Sequence, residues 1–174
     1  MNKLQFMMIQ MIVLLFCFCN QTTKKDMAHT ELSIHISTNK NTFFIGETIP
    51  ITITLKNESK QAVLVNSRLS LGYEKSISRE LYASIIDTST HKEANYNISD
   101  INRDDPKSND YQWLSSNDSL LQSVDLQRYY PFENEGAYEL IIYYNADEDF
   151  RTTPKEVVKG VFQSNRLKIR LAEH

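Results

Sequence analysis

Beyond residue 19 the chain contains no cysteine: its two, Cys17 and Cys19, stand together near the start. No disulfide can brace the folded part, which must hold on its core alone. Glycine is nearly as scarce, with four in 174 residues. That leaves no glycine-rich loop to cradle a phosphate and no Gly-x-Ser-x-Gly nucleophile elbow. The one tryptophan, Trp113, lies in a loop-rich middle stretch and cannot be assumed to fill a sandwich core. Neither sign of charge dominates. Removing Lys3 from the 19 Lys and Arg leaves 18 against 22 Asp and Glu beyond residue 19, a net charge of −4. Such mild acidity argues against nucleic acid or anionic lipid as an electrostatic partner, because those binders gather basic residues on one face. No run of like charges suggests a tail.

What the chain does have begins with an apolar run. After Lys3, residues Leu4 to Phe18 are mostly apolar, and Cys19 closes the run. A short positive start followed by roughly ten to fifteen apolar residues is the pattern of an export signal. Sixteen residues that include Gln5 and Gln10 fall short of the roughly twenty needed to span a bilayer. A cysteine at the end of the run, followed by the polar spacer Asn20–Asp26, resembles a bacterial lipoprotein signal. The resemblance implies lipidation at Cys19, with Phe16 three residues before it and the bulky Phe18 where a small residue is usual. The alternative leaves both cysteines as apolar filler, with cleavage near Ala28. The expected division is a lipoprotein-like signal peptide over 1–19, a flexible tether over 20–30 and one domain over 31–174.

That domain reads as all-β. Leu32, Ile34 and Ile36 alternate with Ser33, His35 and Ser37; Ile49, Ile51, Ile53 and Leu55 alternate with Pro50, Thr52, Thr54 and Lys56. The same period recurs in Tyr138, Leu140, Ile142 and Tyr144, and in Leu167, Ile169 and Leu171. Period two puts each apolar set on one face of a half-buried strand. Turn residues fall between: Asn39-Lys40-Asn41, Gly46-Glu47, Asn57–Lys60, Asn134-Glu135-Gly136 and Asn145–Asp149. The 120–128 stretch has spacing that fits a short helix, and is expected to be a strand. Short strands at spacings near ten residues predict a sandwich or barrel. Gly136-Ala137-Tyr138 has the order of a tyrosine corner, in which the phenol bonds back to a nearby backbone group. This favours an immunoglobulin-like antiparallel β-sandwich of about seven to nine strands.

Two segments carry a family resemblance. Asn41-Thr42-Phe43-Phe44-Ile45-Gly46-Glu47-Thr48-Ile49-Pro50-Ile51, followed by Leu55-Lys56-Asn57, resembles the opening of bacterial secreted or lipoprotein Ig-like β-sandwich domains. Macroglobulin-like repeats and the bacterial proteinase-inhibitor fold share that opening. Gly160–Leu167 resembles their last strand, and Leu126–Phe132 with Gly136-Ala137-Tyr138 fits them too. The resemblance spans most of residues 31–172 and rests on structural positions, and a fold does not fix a function. The inhibitor comparison alone implies an activity.

Candidate chemistry is sparse. His29 falls in the tether, His174 ends the chain, His91 sits in a turn and His35 on the polar face of the first strand. These positions do not converge on a metal set. The 99–110 loop holds Asp100, Asp104, Asp105 and Asp110 with Asn102 and Asn109, oxygen donors of the kind that bind Ca²⁺. It lacks the Asp-x-Asp-x-Asp-Gly register and the closing glutamate, and Arg103 and Lys107 offset its charge. Nine tyrosines include the pairs Tyr129-Tyr130 and Tyr143-Tyr144. One member of each pair should point away from the core, as a contact residue or beneath a neighbouring strand. Sequons stand at Asn57, Asn97 and Asn117. The reading is a non-enzymatic, extracytoplasmic Ig-like module of the bacterial envelope, without catalytic, metal or cofactor residues. Lipid-anchored at Cys19 or secreted, it would engage another envelope or extracellular protein or serve an accessory structural role. Two alternatives are a proteinase inhibitor working through loops 100–110 and 145–155, and a carbohydrate-binding module using exposed tyrosines.

Overall fold

A computed structural model describes residues 32–72, 80–96, 104–147 and 153–173. Cys19, the signal and tether segments, His29, His174, Asp100 and the Asn97 sequon lie outside the described residues. Within them the chain is an all-β sandwich. Three strands form one sheet in the order β1 (Leu32–Ser37), β3 (Pro50–Asn57), β8 (Ser119–Asp125). The second runs β2 (Thr42–Phe44), β11 (Leu167–Ala172), β9 (Gly136–Asn145), β6 (Leu81–Asp87), β5 (Leu71–Gly72), with β10 (Val161–Gln163) also on β9. β4 (Val63–Asn66) and β7 (Tyr111–Leu114) make a separate antiparallel pair. Eight of these strands have four residues or more. Pairing is antiparallel except for the short contacts β2–β11 and β5–β6.

Period two decides which face each strand buries. β1 alternates buried and exposed along its whole length, and Ile51, Ile53 and Leu55 of β3 are fully buried. From the other sheet, Tyr138, Leu140, Ile142 and Tyr144 of β9 and Ile169 and Leu171 of β11 enter the same core. Each fully buried aliphatic side chain contributes about 1.5–3 kcal/mol, so the two rows of isoleucine and leucine supply the stabilisation a missing disulfide does not.

The Gly46–Glu47 step is a turn with a defined job. Gly46 has φ of 82°, and Glu47 N donates to Phe44 O at 3.0 Å. The Glu47 carboxylate closes the turn by accepting from Phe44 N at 2.9 Å while pairing with Lys40. Asn57 then ends β3 from inside. Fully buried, its amide donates to the carbonyls of Gln61, Leu114 and Ser115, and its oxygen accepts from Ser59. Asn57 thus ties two turns together, and its sequon is spent on internal bonds.

The 120–128 stretch is strand only as far as Asp125. Asp125 Oδ1 accepts from Gln127 N at 3.1 Å and from Ile49 N at 3.0 Å, capping the one-turn helix α1 (Leu126–Tyr129). The tyrosine corner is present: Tyr138 Oη donates to Asn134 O at 3.1 Å, with Phe132 edge-on at 4.9 Å. Leu140, two residues on, is fully buried. Trp113, by contrast, is 61% exposed on β7.

Candidate functional site at the tyrosine corner

The β6–β9 ladder pairs Leu81 with Tyr144 at one end and Asp87 with Tyr138 at the other. Roughly 20 Å of strand separates the two ends, and each carries a distinct arrangement of polar groups.

At the Asp87 end the chain makes a tight turn. Asp87 Oδ1 accepts from Ser89 N at 2.7 Å, from Ser89 Oγ at 2.6 Å and from Thr90 N at 3.2 Å. The hydrogen bond from the Ser89 hydroxyl, then the one from its backbone, hold the Asp87 carboxyl down at about 2. His91 follows with φ of 57°, its N donating to Asp87 O. Thr88 donates through both N and Oγ1 to Ala137 O, which fixes the turn to the start of β9. Between this turn and the 131–135 segment opens a groove of about 550 Å³. Asp87, Glu93, Glu133 and Glu135 line it against one lysine, Lys92, with Phe132 and Tyr138 below. Burial, then the Asp87 charge, push the Tyr138 phenol up. The groove is a mainly anionic trough, one wall of which is fixed by the Asp87 turn, and its charge suits a cationic ligand.

The opposite end is closed. Glu80, 2% exposed, accepts at Oε1 from Arg68 Nε at 2.7 Å and from Asn66 Nδ2 at 3.2 Å. Arg68 also donates to Asp104 O at 2.8 Å. Tyr144 Oη accepts from Asn66 N and donates to Asn66 O, and burial pushes its phenol up. A space of about 10 Å³ beside them has room for about one water molecule. Sequence reasoning missed this cluster, because Glu80 lies twelve and fourteen residues from Arg68 and Asn66, Tyr144 lies far beyond them, and no spacing signals the set.

The residues singled out in the sequence divide between these places. His35 is exposed on β1 and His91 in the Asp87 turn. Of the 99–110 loop, Asp110 accepts from Lys107 N, while its own backbone oxygen accepts from Ser67. Asp104 faces Lys107 at 3.9 Å. Among the described residues no three His, Cys, Asp or Glu side chains are grouped to hold a metal ion. Thr153 of the 145–155 loop meets Tyr111, the first residue of β7 after the 100–110 loop, with Tyr111 Oη 3.3 Å from Thr153 Oγ1. No described tyrosine is exposed: Tyr130 and Tyr144 are buried, and half-buried Tyr143 stacks on Tyr82 at 4.8 Å. No described helix is long and apolar enough to cross a membrane. No protein-family model matches the chain, and no curated protein matches it.

Proposed function

We propose that this chain is a non-enzymatic, extracytoplasmic Ig-like module that captures a basic, extended segment of another envelope protein in the groove at its tyrosine corner. The observation that carries the reading is that groove: four carboxylates to one lysine, with the Asp87 turn on one side held by its own side chain–backbone bonds. A wall already fixed, as at the Asp87 turn, loses little entropy on binding, and the groove's charge steers a cationic segment toward it. The 1–19 run ending in Cys19 supports export with a lipid anchor, and the Asn41–Ile51 opening and the tyrosine corner resemble bacterial secreted Ig-like domains.

In-cell cross-linking followed by mass spectrometry tests the reading, with the triple variant Glu93→Gln, Glu133→Gln, Glu135→Gln beside the wild type. One dominant protein, captured through a basic segment and lost in the variant, is the expected result. The same capture by the variant removes the groove, and no capture at all removes the protein-partner reading. Capture of a protease, with inhibition lost on changing residues 104–110, would replace it by the inhibitor reading. For the anchor, Cys19→Ser should move the chain from the membrane fraction to the soluble one; unchanged fractionation rules out Cys19.

A further inference from the structure

The two edges of the three-stranded sheet are finished differently. At β1, the side chain of Asn165, between β10 and β11, accepts from Ile36 N at 2.8 Å and donates to Ile36 O at 3.0 Å, occupying that edge at Ile36. At β8 no described strand pairs with the outer edge, and Ser119, Leu121, Gln122 and Ser123 are exposed, Leu121 by 67%. The ladder fixes which backbone groups face out. Leu126 N donates to Ile49 O, and Asn57 N donates to Asp118 O. Hydrogen-bonded pairs recur at every second residue of an antiparallel ladder. Leu120, Gln122 and Val124 therefore spend their N–H and C=O on β3, while Ser119, Leu121 and Ser123 turn theirs outward.

We propose that β8 pairs edge to edge with β8 of a second copy of this chain, antiparallel about a two-fold axis at Leu121, merging two three-stranded sheets into one. In that register Leu121 faces Leu121 and Ser119 faces Ser123, which forms on the order of six backbone hydrogen bonds. It also sets the two exposed leucines against each other on the outer face. The charges fit the same register. From Ser119 to Val124 no residue is charged, and the flanking Asp118 and Asp125 fall opposite Val124 and Asn117, so no carboxylates oppose each other. β8 carries no lysine or proline, the residues that usually blunt an edge. A β8–β8 pairing about a two-fold axis is isologous and uses up both β8 edges, so it closes at two copies.

Sedimentation equilibrium on the purified full chain in neutral detergent, with Cys17→Ser and Cys19→Ser to prevent disulfide dimers, tests the assembly. The expected result is a reversible dimer that Leu121→Lys weakens at least about tenfold, by setting two ammonium groups face to face. Trp113→Lys, at another exposed apolar residue, should leave it unchanged. In the same background, Leu121→Cys should oxidise to a covalent dimer faster than Gln122→Cys, whose side chain meets Leu120 of the other copy. A monomer throughout, a dimer indifferent to Leu121→Lys, or equal cross-linking by the two cysteine variants would each overturn the proposal.

Discussion

Strand β6 begins after one carboxylate and ends with another, and the two are treated in opposite ways. Glu80 is shut away from water and answered by Arg68 and Asn66, residues that reach it from twelve and fourteen positions earlier. Asp87 stands half-exposed and is answered by its immediate neighbours Ser89 and Thr90. At the Glu80 end, Glu80, Arg68, Asn66 and Tyr144 together join β4, β6, β9 and the 104–110 segment. The Asp87 end shapes a surface and keeps its charge in solvent. One end therefore governs whether the sandwich holds; the other governs what can approach it.

Substitutions at the two ends should separate these roles. The largest effect is expected from Arg68→Met, which leaves the buried Glu80 carboxyl without its cation. Chemical denaturation should show a loss of about 3–5 kcal/mol. Next comes Tyr144→Phe, which leaves Asn66 N and O without their phenol partner. The cost should be about 1–3 kcal/mol, against about 1 kcal/mol for Tyr138→Phe, which frees the single carbonyl of Asn134. If Tyr138→Phe proves the costlier of the two, the contrast between the ends fails.

The pH response sharpens the comparison further. Asp87 in the fold titrates at about 2, below its ordinary value of 3.8. A depressed carboxyl stabilises fully above the unfolded value and loses that contribution as pH falls through the folded one. Stability followed from pH 5 to pH 2 should decline less in Asp87→Asn than in wild type, and nuclear magnetic resonance of the Asp87 carboxyl should give the low midpoint directly. The smallest change in stability, within about 0.5 kcal/mol, is expected from Glu133→Gln and Glu135→Gln on the groove wall.

The same contrast explains what could be seen in advance. Alternation in 32–37, 49–55 and 138–144 marked strands whose inner faces the structure buries, because period two is a local property of sequence. The tyrosine corner was legible for the same reason: Gly136, Tyr138 and Asn134 lie within five residues. Asp125 was not recognised as a helix cap, since the apolar residues around it fit strand and helix alike. Nothing near Arg68 or Glu80 announced their pairing, which exists only once β4 and β6 are folded together. The groove was equally hidden, because its two walls come from segments some forty residues apart. Of the paired tyrosines, Tyr144 enters the core while Tyr143 stacks on Tyr82 of the neighbouring strand, whereas Tyr129, on the one-turn helix, packs against the core beside buried Tyr130.

The grip of Asn165 on Ile36 has a mechanical consequence. β1 is the first described strand, paired along its whole length with β3, packed into the shared core through Leu32, Ile34 and Ile36, and hydrogen-bonded by that amide. A pull arriving from the N-terminal side of Leu32 meets both attachments. β1 cannot peel away from β3 past Ile36 until both of its bonds to Asn165 rupture. A single asparagine between β10 and β11 thus makes the leading strand a brake on forced extension.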